Sequence, residues 1–197
     1  MFIYFRHMRI KDVNKQEAII EATILLVNEI GFVSSSVSKI AKKAGVSPAT
    51  IYIYYKNKED LLVSTYIEIK KKMSIALLEG FDDSKPFRDI LQNVWKNGFK
   101  FVSENQSLYQ YSEQFASSPY SDLVNQSKLE KHFEPVITVL QKGIEQKVIK
   151  NVPFDLLATF IFYPIMVMSN PKKCRSLELN EEIIETGFSL AWDAIKL

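Results

Sequence analysis

Lys39, Lys42, Lys43, Lys56 and Lys58 occupy a stretch that holds no acid between Glu29 and Glu59. A solvated surface ordinarily mixes both signs, so five lysines without a counter-charge raise a positive potential over one small area, which suits phosphate. Within the same stretch stand Tyr52, Ile53, Tyr54 and Tyr55, four bulky side chains in consecutive positions followed at once by Lys-Asn-Lys. A soluble helix buries one stripe and leaves the other face polar, so a helix with aromatics on every side is either wrapped in protein or meets something other than water. The hydroxyl of Tyr52 can donate to a phosphate oxygen, and the apolar tip of Ile53 matches a thymine methyl in a major groove.

Other chemistry has little to work with. The histidines are His7 and His132, no His/Cys cluster has ligand spacing, and no bound metal or other cofactor is expected. Cys174, the single cysteine, excludes an intramolecular disulfide and reads as a free thiol in a reducing cytoplasm. There is no Gly-x-Ser-x-Gly elbow, no phosphate-binding glycine loop and no Cys/His pair, so no enzyme activity is expected.

The opening MFIYFRHMR has apolar residues ahead of its first arginine, the reverse of a secretory signal; residues 1–7 read as a disordered arm, with Met8 a second candidate start. The apolar run Leu156 to Met168 falls short of the roughly 18 residues a spanning helix needs, which points to a helix buried on all sides and to no membrane. A cytoplasmic protein follows.

The patterns that must position these residues are helical. Lys15 to Ile30 repeats apolar residues at three-and-four spacing and stops at Gly31. Ser35 or Ser36 can cap a short second helix, Val37 to Ala44; Gly45 supplies a tight turn; Ser47 caps a third helix with Pro48 in its first turn. Asn57 caps a long fourth helix, with Asp60 in place for a capping box, running to Gly80. Further helices are expected from Phe87 to Ser103, briefly before Pro119, from Ser121 to Lys147 with a kink near Pro135, from Pro153, and from Asn180 to the end. With no strand alternation the chain reads as all-α, about nine helices. Residues 1–57 read as an arm and a three-helix domain that carries the basic, aromatic face, and residues 58–197 as a C-terminal helical bundle.

With Ile51 taken as the inward residue of the third helix and about 100° per residue, Tyr54 and Tyr55 turn toward the protein, while Ala49 and Ile53 point outward, flanked by Thr50 and Tyr52. Small Ala49 permits close approach, and the helix N-terminus aims free N–H groups at a phosphate.

The segments IIEATILLVNEIGF and SSSVSKIAKKAGVSPATIYIYYKNKEDLL, spanning Ile19 to Leu62, resemble the N-terminal DNA-binding domain of the TetR (tetracycline-repressor-like) family of bacterial transcriptional regulators. The resemblance implies DNA contacts from Ser36 and Lys39 of the second helix, from Ser47, Pro48, Ala49, Thr50, Tyr52 and Tyr54 of the third, and from Lys58 of the fourth. Ile53 joins them on its outward position. Pro48 and Ala49 stand where the family often has Lys and Gly, and Ile53 where it has a polar residue or His, so base contacts do not transfer. Leu25 and Ile30, apolar where the family is polar, suggest extra packing against the fourth helix.

The expected function is sequence-specific binding of double-stranded operator DNA by a homodimer, as a repressor released by a small apolar or aromatic effector. Candidates for the effector pocket are Trp95, Phe99, Tyr109, Tyr111, Phe115, Phe160 and Tyr163. Candidates for the dimer interface are Phe160, Ile183, Ile184, Phe188 and Trp192. The rival reading keeps DNA binding but gives the C-terminal domain a protein partner; that domain would then fill its interior and expose an apolar patch.

Overall fold

The computed structural model describes residues 12–170 and 173–197, so the arm expected at residues 1–7 lies outside the described residues. Among the described residues the chain is all-α, with helices α1 Val13–Ser34, α2 Val37–Lys43, α3 Pro48–Tyr54, α4 Lys58–Leu77, α5 Phe87–Glu104, α6 Gln106–Ala116, α7 Gln126–Glu130, α8 Glu134–Glu145, α9 Phe154–Met168 and α10 Glu181–Ile195. One isolated antiparallel bridge, Ile149 with Lys196, lies outside them. The single kinked helix expected over 121–147 is instead α7, a 3-10 turn at Lys131–Phe133 and α8, preceded by a 3-10 turn at Pro119–Leu123. Pro135 opens α8, where its missing N–H leaves no bond unmade. No helix among the described residues is long and apolar enough to cross a membrane.

The chain packs as two units. The first takes the described residues up to Tyr66 together with Gln110–Leu123, and the second takes Ile67–Tyr109 and Val124–Leu197. The division falls inside α4 rather than at 57/58, because Leu61, Leu62 and Thr65 at the start of α4 are wholly buried on the first unit's side of it.

In the first unit, Ile19, Ala22 and Leu26 of α1 meet Ile40 and Ala41 of α2, Ile51 of α3, Tyr55 and Leu61. Asp12 caps α1 by accepting from the Asn14 N–H. Gly31, at φ 77° and ψ 168°, breaks the helical path inside α1. Leu25 and Ile30, expected to pack against α4, are exposed, because the inward stripe of α1 is complete without them. Between α2 and α3, Gly45 adopts φ 67°; its N–H donates to the Lys42 carbonyl and that of Val46 to Ala41, at 3.3 and 3.0 Å. This paired termination needs a left-handed residue, which glycine reaches without a Cβ penalty. The turn sets the angle between α2 and α3.

The segment 110–123 completes this unit. Tyr111 and Phe115 are wholly buried, and the Tyr111 hydroxyl donates to the Leu62 carbonyl at 2.9 Å. The Phe32 ring lies 5.5 Å from Tyr111, 6.0 Å from Phe115 and 5.6 Å from Tyr120, and Tyr66 stacks on Phe115 at 4.4 Å.

In the second unit α5, α9 and α10 pack together around Trp95, whose indole N–H donates to the Ile161 carbonyl at 2.8 Å. Pro164 sits inside α9, where it has no N–H to offer the Phe160 carbonyl. At Gly187 of α10 an added Cβ would stand 2.7 Å from Met168 Cε and 3.1 Å from the Trp95 ring. That close approach turns Phe188 and Ala191 inward as well, both of them buried.

Candidate nucleic-acid interface

The outer face of α3 is built by its two ends. Ser47 accepts from the Thr50 N–H at 3.2 Å and its hydroxyl meets that of Thr50 at 2.9 Å, which fixes the first turn. At the other end the Tyr54 hydroxyl accepts from the Asp12 N–H at 2.9 Å and lies 3.1 Å from the Asp12 carbonyl, to which it donates. Ile51 and Tyr55 are buried beneath, at 1% and 4% exposure. Above them Tyr52 is 56% and Ile53 40% exposed, with Ser47, Pro48 and Ala49 open to solvent beside them. Tyr54 is half-buried with its hydroxyl held by Asp12, so less of it is presented than of Tyr52.

Ser36 caps α2 by accepting from the Lys39 N–H at 3.3 Å. The lysines differ in what holds them. Lys39 Nζ donates to the Ser34 carbonyl at 3.1 Å, Lys43 pairs with Glu29 at 3.1 Å, and Lys58 Nζ donates to the Phe32 carbonyl at 2.6 Å and that of Val33 at 3.3 Å. Lys42 and Lys56 are exposed. Neither the Tyr54–Asp12 nor the Lys58–Phe32 contact has a local signal, since each joins residues 26 or more apart in sequence.

The seven candidate effector-pocket aromatics are not brought together. Trp95, Phe99 and Tyr109 lie in the core of the second unit and Tyr111 and Phe115 in the first, while Phe160 and Tyr163 are 50% and 52% exposed on α9. Burial pushes the Tyr111 phenol well above its ordinary range, which keeps it a donor to Leu62.

The interface candidates also separate. Phe160 is on the exposed face of α9, and Ile183 and Ile184 are half-buried. Phe188 is 1% exposed against Trp95, with ring centroids 6.0 Å apart. Trp192 packs on Phe87 at 6.0 Å with the Arg88 guanidinium over its ring. Phe188 is thus taken up by the core of its own chain, on the side where Gly187 lets α10 approach Met168 and Trp95, while Trp192 stays half-buried. The large apolar residues that α9 and α10 do expose are Phe154, Leu156, Phe160 and Tyr163 on one and Leu190 on the other.

Residues 19–65 match the model of bacterial regulatory proteins of the tetR family, and residues 86–196 match that of the tetracyclin repressor-like C-terminal domain. The chain belongs to the TetR family. This TetR-family chain is 27% identical over 190 residues to an uncharacterised helix-turn-helix transcriptional regulator of Haemophilus influenzae, covering 96% of this chain and 100% of the relative. It is 35% identical over 94 residues to the fatty acid metabolism regulator of Bacillus subtilis, 48% of each chain. A crystal structure of a TetR-family transcription regulator from Marinobacter aquaeolei superposes with a TM-score of 0.87 at 37% identity, covering 96% of this chain and 99% of that one. The TetR-family chain is thus a DNA-binding transcriptional regulator, and α2, the Gly45 turn and α3 are its helix-turn-helix.

Proposed function

We propose that this regulator is a homodimeric repressor that lays the outer face of α3 in the major groove of its operator and is released by a small apolar or aromatic ligand. The observation that carries the reading is the exposure of Tyr52 and Ile53 on a helix whose other large apolar residue, Ile51, is buried. Two bulky side chains left in water beside lysines are stabilised when a groove covers them. In this reading Ser36, Lys39, Ser47, Pro48, Ala49, Thr50, Tyr52, Ile53, Tyr54 and Lys58 form the DNA-facing set. Tyr52→Phe removes one hydroxyl from each protomer and is expected to weaken every duplex alike by two hydrogen bonds, about 2 kcal/mol or roughly thirtyfold. Ile53→Ala is expected to lower discrimination at one base pair, by about tenfold or more, and to leave the others unchanged. Anisotropy titrations on the upstream region and on random duplex check both, and equal affinity of the wild type for the two at physiological salt would overturn the reading.

Support for an effector comes from an open cleft of about 480 Å³ in the second unit between α5 and the start of α10, where Phe99, Leu179 and Ile184 are bordered by Lys96, Lys100, Glu104, Glu181 and Glu185. Its size suits a small molecule. Phe99 stacks on Trp95 at 5.8 Å, so a ligand there presses on the core around which α5, α9 and α10 pack. α4 begins in the first unit and continues into the second, so the two units share one helix. A hundredfold drop in operator affinity needs about 2.7 kcal/mol of differential ligand binding. Reciprocity is the check: calorimetric titration of a candidate apolar ligand with operator present should give an affinity weaker by the same factor as the ligand weakens DNA. Equal affinities would favour a protein partner for the second unit.

A further inference from the structure

α3 and its cap offer a groove no side chain that can grip a base edge with two hydrogen bonds. From Ser47 to Tyr54 the chain reads Ser-Pro-Ala-Thr-Ile-Tyr-Ile-Tyr, without an amide, a guanidinium, an ammonium or a carboxylate. In a major groove guanine is read by arginine or lysine, adenine by asparagine or glutamine, and cytosine by a carboxylate; thymine is the base read by apolar contact, through its C5 methyl. The hydroxyls do not fill the gap. Those of Ser47 and Thr50 are bonded to each other at 2.9 Å, and that of Tyr54 is bonded to the Asp12 backbone. A serine or threonine hydroxyl also accepts more than one base as partner. Lys39 and Lys58 of the DNA-facing set lie on α2 and α4, and a lysine on the phosphate backbone positions the protein without reading sequence. What α3 exposes beside Tyr52 is apolar: Pro48, Ala49 and Ile53. Ala49 and Ile53 are four residues apart, hence on one face and about 6 Å from each other along the axis. Base pairs stack about 3.4 Å apart, so these two side chains span about two steps.

We infer that the operator presents A·T pairs to α3 with thymine methyls toward the helix, and that Ile53 and Ala49 determine specificity by covering those methyls. The inference rests on the reading that the outer face of α3 enters the major groove, and narrows its operator to a class. An isoleucine tip laid on a methyl excludes water from both, whereas a cytosine or a purine in that place leaves the tip against polar atoms with nothing to pair them. Covering one methyl favours thymine over uracil about fourfold, and about fifteenfold when both half-sites of a two-fold operator carry the change.

The test uses the full chain and the duplex it enriches from a pool with a randomised centre. In that duplex each thymine is replaced in turn by uracil, symmetrically in both half-sites, which removes the methyl and keeps every pairing atom. At one position wild type is expected to lose about fifteenfold, Ile53→Ala to lose at least as much on the thymine duplex, and Ile53→Ala to be indifferent to uracil there. Such coupling marks contact with the methyl, in contrast to a preference for the shape of A·T-rich DNA. At the same position 5-methylcytosine paired with guanine should bind better than cytosine. Ile53 is exposed, so its substitution removes no core packing. Uracil without effect at every position, while Tyr52→Phe still weakens binding, would overturn the inference and leave α3 in the groove. An enriched core of G·C pairs would overturn it as well. If neither Tyr52→Phe nor Ile53→Ala weakens any duplex, α3 does not face the groove, and the reading falls together with the inference.

Discussion

Phe160→Glu is expected to sediment as a monomer at micromolar concentration, and to lose high-affinity operator binding while keeping its fold. Phe160 is 50% exposed on the side of α9 away from Leu157, Ile161 and Ile165, which are buried in the protomer's own core. Leu156, Phe160 and Tyr163, at spacings of four and three, therefore form one outward stripe, with Leu190 of α10 exposed as well. In a two-fold dimer the same patch meets itself, so one substitution acts twice. Losing the burial of the exposed half of two phenylalanines removes about 1.5–3 kcal/mol, and two carboxylates brought into an apolar contact cost several kcal/mol more. A dimer weaker by a thousandfold or more follows from about 4 kcal/mol. The operator effect follows from geometry, since two recognition helices must reach half-sites about 34 Å apart, and a monomer holds only one of them. Sedimentation velocity and anisotropy on the same samples provide the measurement, with circular dichroism to verify the fold. A persistent Phe160→Glu dimer would place the interface elsewhere. Phe188→Glu is the contrast, because its side chain is in the core and its expected outcome is an unfolded second unit.

That contrast shows where the sequence was legible and where it was not. The helix-turn-helix could be read because its signals are local: Ser36 and Ser47 cap, Asn57 accepts from the Asp60 N–H to cap α4, and Gly45 supplies the positive φ. The capping box differs in detail, since Asp60 reaches the Lys56 N–H at 2.8 Å, one residue before the cap. Periodicity alone also sorted the faces of α3, because one short amphipathic helix over one core leaves a single consistent rotation. It could not sort α10, where Ile183, Ile184, Phe188, Leu190, Ala191, Trp192 and Ile195 offer apolar residues on more than one face. The rotation is decided by Gly187, whose missing Cβ admits Trp95 and Met168, a contact between distant segments. Distance in sequence likewise hid the partners of Lys58 and Tyr54. The aromatics of α6 read as candidates for one pocket, yet Tyr109 and Tyr111, two residues apart and so on opposite faces, serve different units. A helix pattern states which residues avoid water, not which neighbours they find.

Trp95→Ala is expected to destabilise the second unit by about 3–5 kcal/mol, the range for a fully buried large aromatic. Trp95 is wholly inaccessible, stacked on Phe99 at 5.8 Å and edge-on to Phe188 at 6.0 Å. Its N–H satisfies the Ile161 carbonyl, and losing that bond adds about 1 kcal/mol where no water can replace it. Against a typical total stability of about 5–15 kcal/mol, such a loss brings the unit near its threshold at ordinary temperature. The first unit has its own core without this residue, so two transitions should separate where wild type shows closer ones. Trp192, the other tryptophan, lies in the second unit and reports its unfolding by fluorescence, while far-UV circular dichroism reports both units. The cost also bears on the effector. If Trp95 fills a close-packed core, the deletion leaves a cavity that added indole should refill, raising the fluorescence midpoint in proportion to the logarithm of indole concentration above its dissociation constant. If Trp95 instead borders a space kept open for a ligand, its removal should cost less than about 1.5 kcal/mol, and indole should stabilise wild type and variant alike. The fully buried ring and its bond to Ile161 favour the first outcome, under which the proposed effector would have to enter at the Phe99 cleft and displace packed side chains, since no space is kept open at Trp95.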